Sequence, residues 1–475
     1  MKRCLLVLST LCLILNLPAA AHAQAVTIPG TIIFGAWWDS NHDGVVLADT
    51  DLHSLFRLGT GPDGALHTTP ITQQDAQVPL VRSDGVVSFF VDRSGLLHNL
   101  SRLVSREKLI DSAYTPDGGR LIILTQAQGL PNRSISLVDA RTGLLIQFTG
   151  ANVDDTSLSL SPDGTRVLFT QSFFGVNRLY LLDTRTGGVF PLTDGTARIS
   201  SPRWSPNGAS IAYVRQVDTN RNGYDASDPR TLWITDVNGV NQRVISPPGA
   251  VDAGTPVWSP DSFHIAFLHR TDNDANGRIT QPDSLQLAVA DLTTGVVNIV
   301  AAGLDFPTVL WNPSGTRLAF RAVTTDTNGD GFISMDDVPI LWVMQANDAV
   351  ALPLTGGANQ VVGGAVAWSP DGNRLAYTVA VRDDNADGRI TQLDSTQVYM
   401  ISVEAGVTRP TSPLIDGPRV GALAWSPDGT ALALVVQTSI SLGTLLRADV
   451  SNASLAPLTD NTLLVDSATG LYWVR

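Results

Sequence analysis

Five segments of the chain place Asp or Asn at alternate positions ahead of a Gly, in the order D-x-[DN]-x-[DN]-G, and three of them run on to an Asp at position twelve. The complete segments offer side-chain oxygens from Asp272, Asp274, Asn276 and Asp283, from Asp326, Asn328, Asp330 and Asp337, and from Asp383, Asn385, Asp387 and Asp394. Position seven, where a backbone carbonyl serves, is Arg278, Phe332 and Arg389. Hard oxygen donors two residues apart, a glycine at the sharp turn and a carboxylate returning from the far end are what a calcium ion requires of a single loop.

The other two segments depart from this pattern at their closing residue. Asp39, Asn41 and Asp43 precede Gly44 and Val45, but position twelve is Thr50, with Asp49 and Asp51 on either side. Asp218, Asn220 and Asn222 precede Gly223 and Tyr224, but position twelve is Pro229 and Asp228 falls one early. All five segments resemble EF-hand and dockerin loops, and the resemblance implies several structural calcium ions bound at extracellular strength, roughly 10⁻⁴ to 10⁻³ M. The same residues also suit a hydrogen-bonded Asx-turn hairpin that needs no metal.

What must position these loops is a repeat. AYTPDGGRLIIL, LSLSPDGTRVLFT, PRWSPNGASIAYV, PVWSPDSFHIAFL, VLWNPSGTRLAFR, VAWSPDGNRLAYTV and LAWSPDGTALALVV follow one another along the chain. Each reads as strand, tight turn, strand: Pro fixes φ, Asp or Asn with Gly accepts the turn dihedrals, and the flanks alternate with a two-residue period. A second hairpin follows in most units, so four short strands per unit predict an all-β propeller. The residue two before the turn proline is Tyr114, Leu160, Trp204, Trp258, Trp311, Trp368 and Trp425, at steps of 46, 44, 54, 53, 57 and 57. The long steps are those that contain a calcium-type loop, inserted between the second and third strands, which gathers the loops on one rim. The repeated tryptophans are expected to pack between blades, and of the pair Trp37 and Trp38 one is expected inside and the other near the first loop.

Trp204-Ser205-Pro206-Asn207-Gly208, Trp368-Ser369-Pro370-Asp371-Gly372 and Trp425-Ser426-Pro427-Asp428-Gly429 resemble the PD40, WD-repeat-like propellers of TolB and of prolyl oligopeptidase-type peptidases. The resemblance implies a propeller fold and leaves activity open, because propellers host many functions. TolB's separate small domain is expected to have no room here, since blade-like sequence starts by Thr31. Residues 1–23 read as a signal peptide and 26–475 as one propeller, with units starting near 31, 78, 110, 155, 199, 254, 306, 362 and 419. Eight blades is the preferred number and nine the literal count, with the tail 462–475 closing the ring.

The leader has a positive start at Lys2 and Arg3, an apolar run from Leu5 to Leu17 and an Ala21-His22-Ala23 cleavage site, which predicts export to the periplasm or the extracellular medium. Both cysteines, Cys4 and Cys12, lie in it, so the mature chain is expected to hold neither disulfide nor thiol active site. No later stretch approaches the ~18 apolar residues of a membrane span. A net charge of -13, carried mostly by Asp, argues against nucleic acid as a partner. The chain has no G-x-S-x-G, H-E-x-x-H or Walker motif, and His42, His53, His67, His98, His264 and His269 lack zinc-ligand spacing. The expectation is a monomeric, exported, calcium-binding propeller that acts without catalysis on an unidentified protein or glycan ligand. The alternatives are a hydrolase or lyase acting on polysaccharide or peptide at the central opening, and a TolB-like component of an envelope complex.

Overall fold

The computed structural model describes residues 28–474 apart from 39, 41–51, 64, 73–75, 77, 82–86, 92–95, 100–102, 128–132, 150–157, 174–175, 220, 222, 225–227, 248–249, 252–255, 271–284, 304–307, 325, 327–332, 334–336, 349, 356–360, 384–389, 391–393, 404–412, 417–418, 438–441 and 460–462. The described residues are all-β, in antiparallel sheets that form a β-propeller.

Six units carry four strand positions in simple chain order, and the fifth of the ring is representative: Arg198–Trp204, Ser210–Gln216, Arg230–Asp236 and Arg243–Val244. In the sixth the inner position is split between Ala250–Val251 and Val257–Trp258. The first unit is assembled from both ends of the described chain. Its inner strand is Leu463–Val474, paired antiparallel with Thr31–Trp38, which continues to Leu52–Thr60 and Leu66–Pro70. The second unit has three strands of its own, Val78–Val81, Val87–Val91 and Leu96–Asn99. It borrows its edge from the start of Leu103–Tyr114, whose remainder is the inner strand of the third. Among the described residues the pairing groups the strands into nine units, eight of them four-stranded. The segment that reads as a partial unit from Thr31 to Thr72 is completed from the other end of the chain.

Among the described residues the core is distributed as nine apolar clusters, each lying between two consecutive units, including the ninth and the first. The pleat explains how one strand serves two interfaces, because successive side chains point to opposite faces. In Ser210–Gln216, Ile211 and Tyr213 pack toward the fourth unit while Ala212 and Val214 pack toward the sixth. The order large, Ala, large recurs. Leu375 and Tyr377 face the seventh unit, and Ala376 faces the ninth together with Trp425. Ala212 shares a cluster with Trp258, Ala266 with Trp311, Ala319 with Trp368 and Ala433 with Trp473. A small side chain on the forward face makes room for the next unit's indole.

That indole also bonds. Trp204, Trp258, Trp311, Trp368 and Trp425 each donate Nε1–H to a carbonyl of the preceding unit's inner strand, on Ser159, Arg203, Val257, Leu310 and Ala367, at 3.0–3.3 Å. In every case the acceptor is the residue just before the equivalent repeat position. Tyr114 does the same with its hydroxyl, to Leu80 O at 3.3 Å. Trp473 turns instead to Pro29 O at 2.7 Å, tying the closing strand to the segment that leads into its partner.

The turns between first and second strands share one hydrogen-bond scheme. Ser161 Oγ donates to Asp163 Oδ1 at 2.6 Å and accepts Arg166 N–H at 2.9 Å, with Gly164 at φ +73 closing the turn. Turns between third and fourth strands are capped by Asp139, Asp183, Asp236, Asp291 and Asp449, whose carboxylates accept nearby backbone N–H groups. Hydrogen bonds from Thr115 and Gly119 hold the Asp117 carboxyl below the usual range, as those from Ser451 do for Asp449.

Substituting Ala376→Leu overpacks the interface with Trp425, and a loss of roughly 1–3 kcal/mol by denaturant titration is expected. For the depressed turn carboxylates, the folded state binds protons more weakly than the unfolded chain. Their contribution is present above the ordinary value near 3.8 and is lost as pH falls through the folded values, which reach about 2 at Asp291. The melting temperature is therefore expected to be indifferent to these groups from pH 7 to 5 and to fall below pH 4.

Candidate metal centres

All five Asp-rich segments connect the second strand of a unit to its third. They lie between Thr31–Trp38 and Leu52–Thr60, between Ser210–Gln216 and Arg230–Asp236, and between His264–Arg270 and Leu285–Asp291. The last two lie between Arg317–Ala322 and Ile340–Gln345, and between Arg374–Ala380 and Thr396–Ser402. In an antiparallel meander, connections of this class all leave from the rim opposite the Ser-Pro-Asp-Gly turns. The fifth to eighth units carry four of the loops in succession, and the first unit carries the other.

The segment beginning at Asp218 has the most described residues. Asp218 Oδ1 accepts Arg221 N–H at 2.6 Å and Oδ2 accepts Gly223 N–H at 3.1 Å. Arg221 and Gly223 stand at φ 60 and φ 95, the left-handed region that the tight turn requires. Asp228, 2% exposed, accepts Thr219 N–H at 3.0 Å and the Thr219 hydroxyl at 3.3 Å, closing the segment on itself. Burial, followed by the charges of Asp218 and Asp228, raises the Tyr224 hydroxyl. In this segment the Asp218 carboxylate holds the turn through its backbone N–H groups, and Asp228 ties the far end to Thr219.

The closing residue is buried in the complete segments as well, wherever it is described. Asp337 is 3% exposed and Asp394 is 1% exposed, whereas the opening Asp326 is exposed and Asp383 half-buried. A carboxylate taken out of water needs a compensating charge or hydrogen bonds. An oxygen-only donor set with a buried closing carboxylate fits a hard cation such as calcium. Asp272, Asp274, Asn276, Arg278, Asp283, Asn328, Asp330, Phe332, Asn385, Asp387, Arg389, Asn220 and Asn222 lie outside the described residues, as do Asp39, Asn41, Asp43, Val45, Asp49 and Asp51. Beside the first loop, Ser40 Oγ accepts Leu52 N–H at 3.0 Å. Trp37 is buried against His53 and Trp38 is half-buried, its Nε1–H donated to Ser54 Oγ at 3.1 Å. Both indoles belong to the blade.

Two features were beyond the reach of sequence reasoning. The indole-to-carbonyl bonds between units need coordinates, although Ala212, Ala266, Ala319, Ala376 and Ala433, two residues after the turn's end in five of the seven repeats, mark the space the next indole occupies. His264, an ordinary strand histidine by sequence, lines a cavity on the opposite rim. Arg120, Arg166, Arg317 and Arg374 hold the same position in four other repeats, and Ser210 and Ala431 hold it in the remaining two.

No family model matches the chain. An uncharacterised peptidase of Bacillus subtilis (strain 168), YuxL, is 26% identical over 213 residues, a match covering 38% of this chain and 31% of the peptidase. The chain thus spans less than a third of that relative's length. Among solved structures, a eukaryotic initiation factor superimposes over 94% of this chain and 98% of its own, with a TM-score of 0.57 at 11% identity. This likeness concerns the fold alone. TolB from Acinetobacter baumannii matches 69% of this chain and 64% of its own at 18% identity, with a TM-score of 0.36 that carries no further argument.

Replacing Asp228 by Ala strands Thr219 N–H and removes a buried charged acceptor. A loss of roughly 1.5–3 kcal/mol is expected by denaturant titration in chelator.

Proposed function

We propose that this protein is an exported β-propeller that binds several structural calcium ions on one rim and works as a non-catalytic binding or scaffolding module. The observation that carries the reading is the common placement of the five loops, combined with a buried closing carboxylate at Asp228, Asp337 and Asp394. Calcium supplies positive charge that lets clustered carboxylates lie close together. The chain's own part is to present the oxygens from strand ends that the blade holds fixed. With metal bound, each loop becomes a rigid projection. In chelator the carboxylates repel and the loops loosen. The ligand class is a protein or glycan docking on the stiffened rim. Export rests on the leader, which lies outside the described residues, and among those described no helix is long and apolar enough to cross a membrane.

A second reading, an exported hydrolase or lyase with its site at the central opening, is favoured only by the sequence likeness to the Bacillus subtilis peptidase. Release of product from peptide or polysaccharide mixtures by the purified chain would support it.

Calorimetric titration of the chelated mature protein with calcium is expected to reveal three to five sites at roughly 10⁻⁴ to 10⁻³ M, with a melting temperature that rises on saturation. Asp394→Asn is expected to remove one site and part of that rise. An unchanged melting temperature between chelator and calcium would reduce the loops to Asx hairpins.

A further inference from the structure

The aromatic-to-carbonyl bond between consecutive units has one exception among the seven repeats that carry the turn phrase. Tyr114, Trp204, Trp258, Trp311, Trp368 and Trp425 each donate to the unit behind them. In the fourth unit that position is Leu160, which has no N–H or O–H to give. Every indole of the set finds its acceptor on the residue just before the equivalent position of the preceding unit, and for Leu160 that residue is Ala113. A carbonyl oxygen has two lone pairs. In the other units the aromatic donor takes one of them, and Ala113 O goes without this bond.

The volume of this interface has changed together with the donor. Where the fifth to ninth units hold Ala on the second strand, the third holds Ile122, opposite Ala113 in the strand register. Ile122 and Leu160 belong to one apolar cluster, so the isoleucine takes the inner part of the space that an indole occupies elsewhere. The part nearer the turns stays open. A cavity of about 390 Å³ lies there, lined among others by Ala113, Tyr114, Pro116, Leu160, Arg203 and Trp204.

The walls of the cavity suit a flat ring. Tyr114 and Trp204 contribute aromatic surface. Pro116 is backed by the neighbouring turn, since a Cβ built on Gly164 would stand 2.6 Å from its Cδ. Arg203 is half-buried, with Nη1 donating to Pro202 O at 2.9 Å, and a planar guanidinium is attracted to the face of a π system. Among the described residues the lining holds no carboxylate, although the chain carries a net charge of -13. An ammonium ion finds no counter-charge here, whereas a neutral N–H donor finds a carbonyl.

We propose that this cavity takes up from outside the chain the indole that the repeat lacks: a neutral, planar heteroaromatic group whose ring N–H donates to Ala113 O and whose surface meets Tyr114, Trp204 and Arg203. The filled interfaces of the other units show the occupant that such a space accepts. The site does not depend on the calcium reading, because it lies at the Ser-Pro-Asp-Gly turns, on the rim opposite the Asp-rich loops. Two sources present this chemistry, a tryptophan side chain of a polypeptide and a free indole-type molecule.

The test is calorimetric titration of the full mature chain, in saturating calcium, with Nα-acetyl-tryptophan amide and separately with indole. Saturable one-to-one binding of either probe is expected, and the tighter of the two identifies the source. N-methylindole keeps the ring and lacks the donor, and is expected to bind more weakly by about fivefold, the size of one neutral hydrogen bond. Leu160→Trp combined with Ile122→Ala restores the pair that the later units carry, fills the cavity with the chain's own indole, and is expected to abolish binding. Arg203→Ala serves as the second variant, with binding expected to weaken about threefold. Both are read where the melting temperature shows a folded protein. Failure of both probes to bind saturably overturns the proposal. So does binding undiminished by these variants, which would put the ring elsewhere on the chain.

Discussion

Blades stacked face to face share no backbone ladder, so nothing in the sheets themselves sets the angle from one unit to the next. Side chains must set it, and here two devices do so together. From the fifth to the eighth unit a small residue on the forward face of the second strand receives the following unit's indole, and that indole then donates to a carbonyl of the strand behind it. The first is a matter of volume and the second of direction. Packing alone leaves a blade free to slide over its neighbour, whereas a donor aimed at one carbonyl fixes where along the strand it stops. Each hydrogen bond contributes only about 1 kcal/mol net. Repeated around the ring, they select one arrangement from many of similar burial.

With the blades held this way, the two rims are built under different rules. The rim of the Ser-Pro-Asp-Gly turns is tightly specified, since each turn side chain satisfies backbone groups of its own unit and some reach the next, as Arg374 does in donating to Gly429 O at 2.8 Å. The opposite rim carries the connections between second and third strands, which vary from two residues after Phe173 to seventeen after Ala322. Charge divides along the same line. Carboxylates of the turn rim are engaged by hydroxyl and N–H donors, while those of the long loops include closing residues buried at the strand ends.

How much of this the residues announce varies with the kind of interaction. The alternating strands and their turns are legible because pleat and φ restrictions are local, and Gly164 or Gly372 at positive φ is what a Pro-Asp-Gly turn demands. Placement of the Asp-rich segments between second and third strands follows from repeat spacing. The unit between Val78 and Asn99 is poorly legible, since its turn lacks the phrase and its edge is part of a strand that also serves the next blade. The count of units turns on Leu463–Val474, whose partner is more than four hundred residues away in sequence. The His264 cavity was legible only as a departure from the repeat. A histidine stands there where four other repeats hold arginine, and its pairing with Asn347 across the unit boundary is visible only in the fold.

The pairing of Leu463–Val474 with Thr31–Trp38 also orders events in time. A ribosome releases Thr31–Trp38 long before its inner partner, so until that strand emerges the first blade has an open edge formed by the apolar run TIIFGAWW. Such an edge is a template for pairing with another chain. The eight later units can close on one another as they emerge, since each supplies its own inner strand. A truncated or stalled chain would therefore present a nearly complete arc of blades with one adhesive end. Delivery of all strands before the ring must form would remove that hazard.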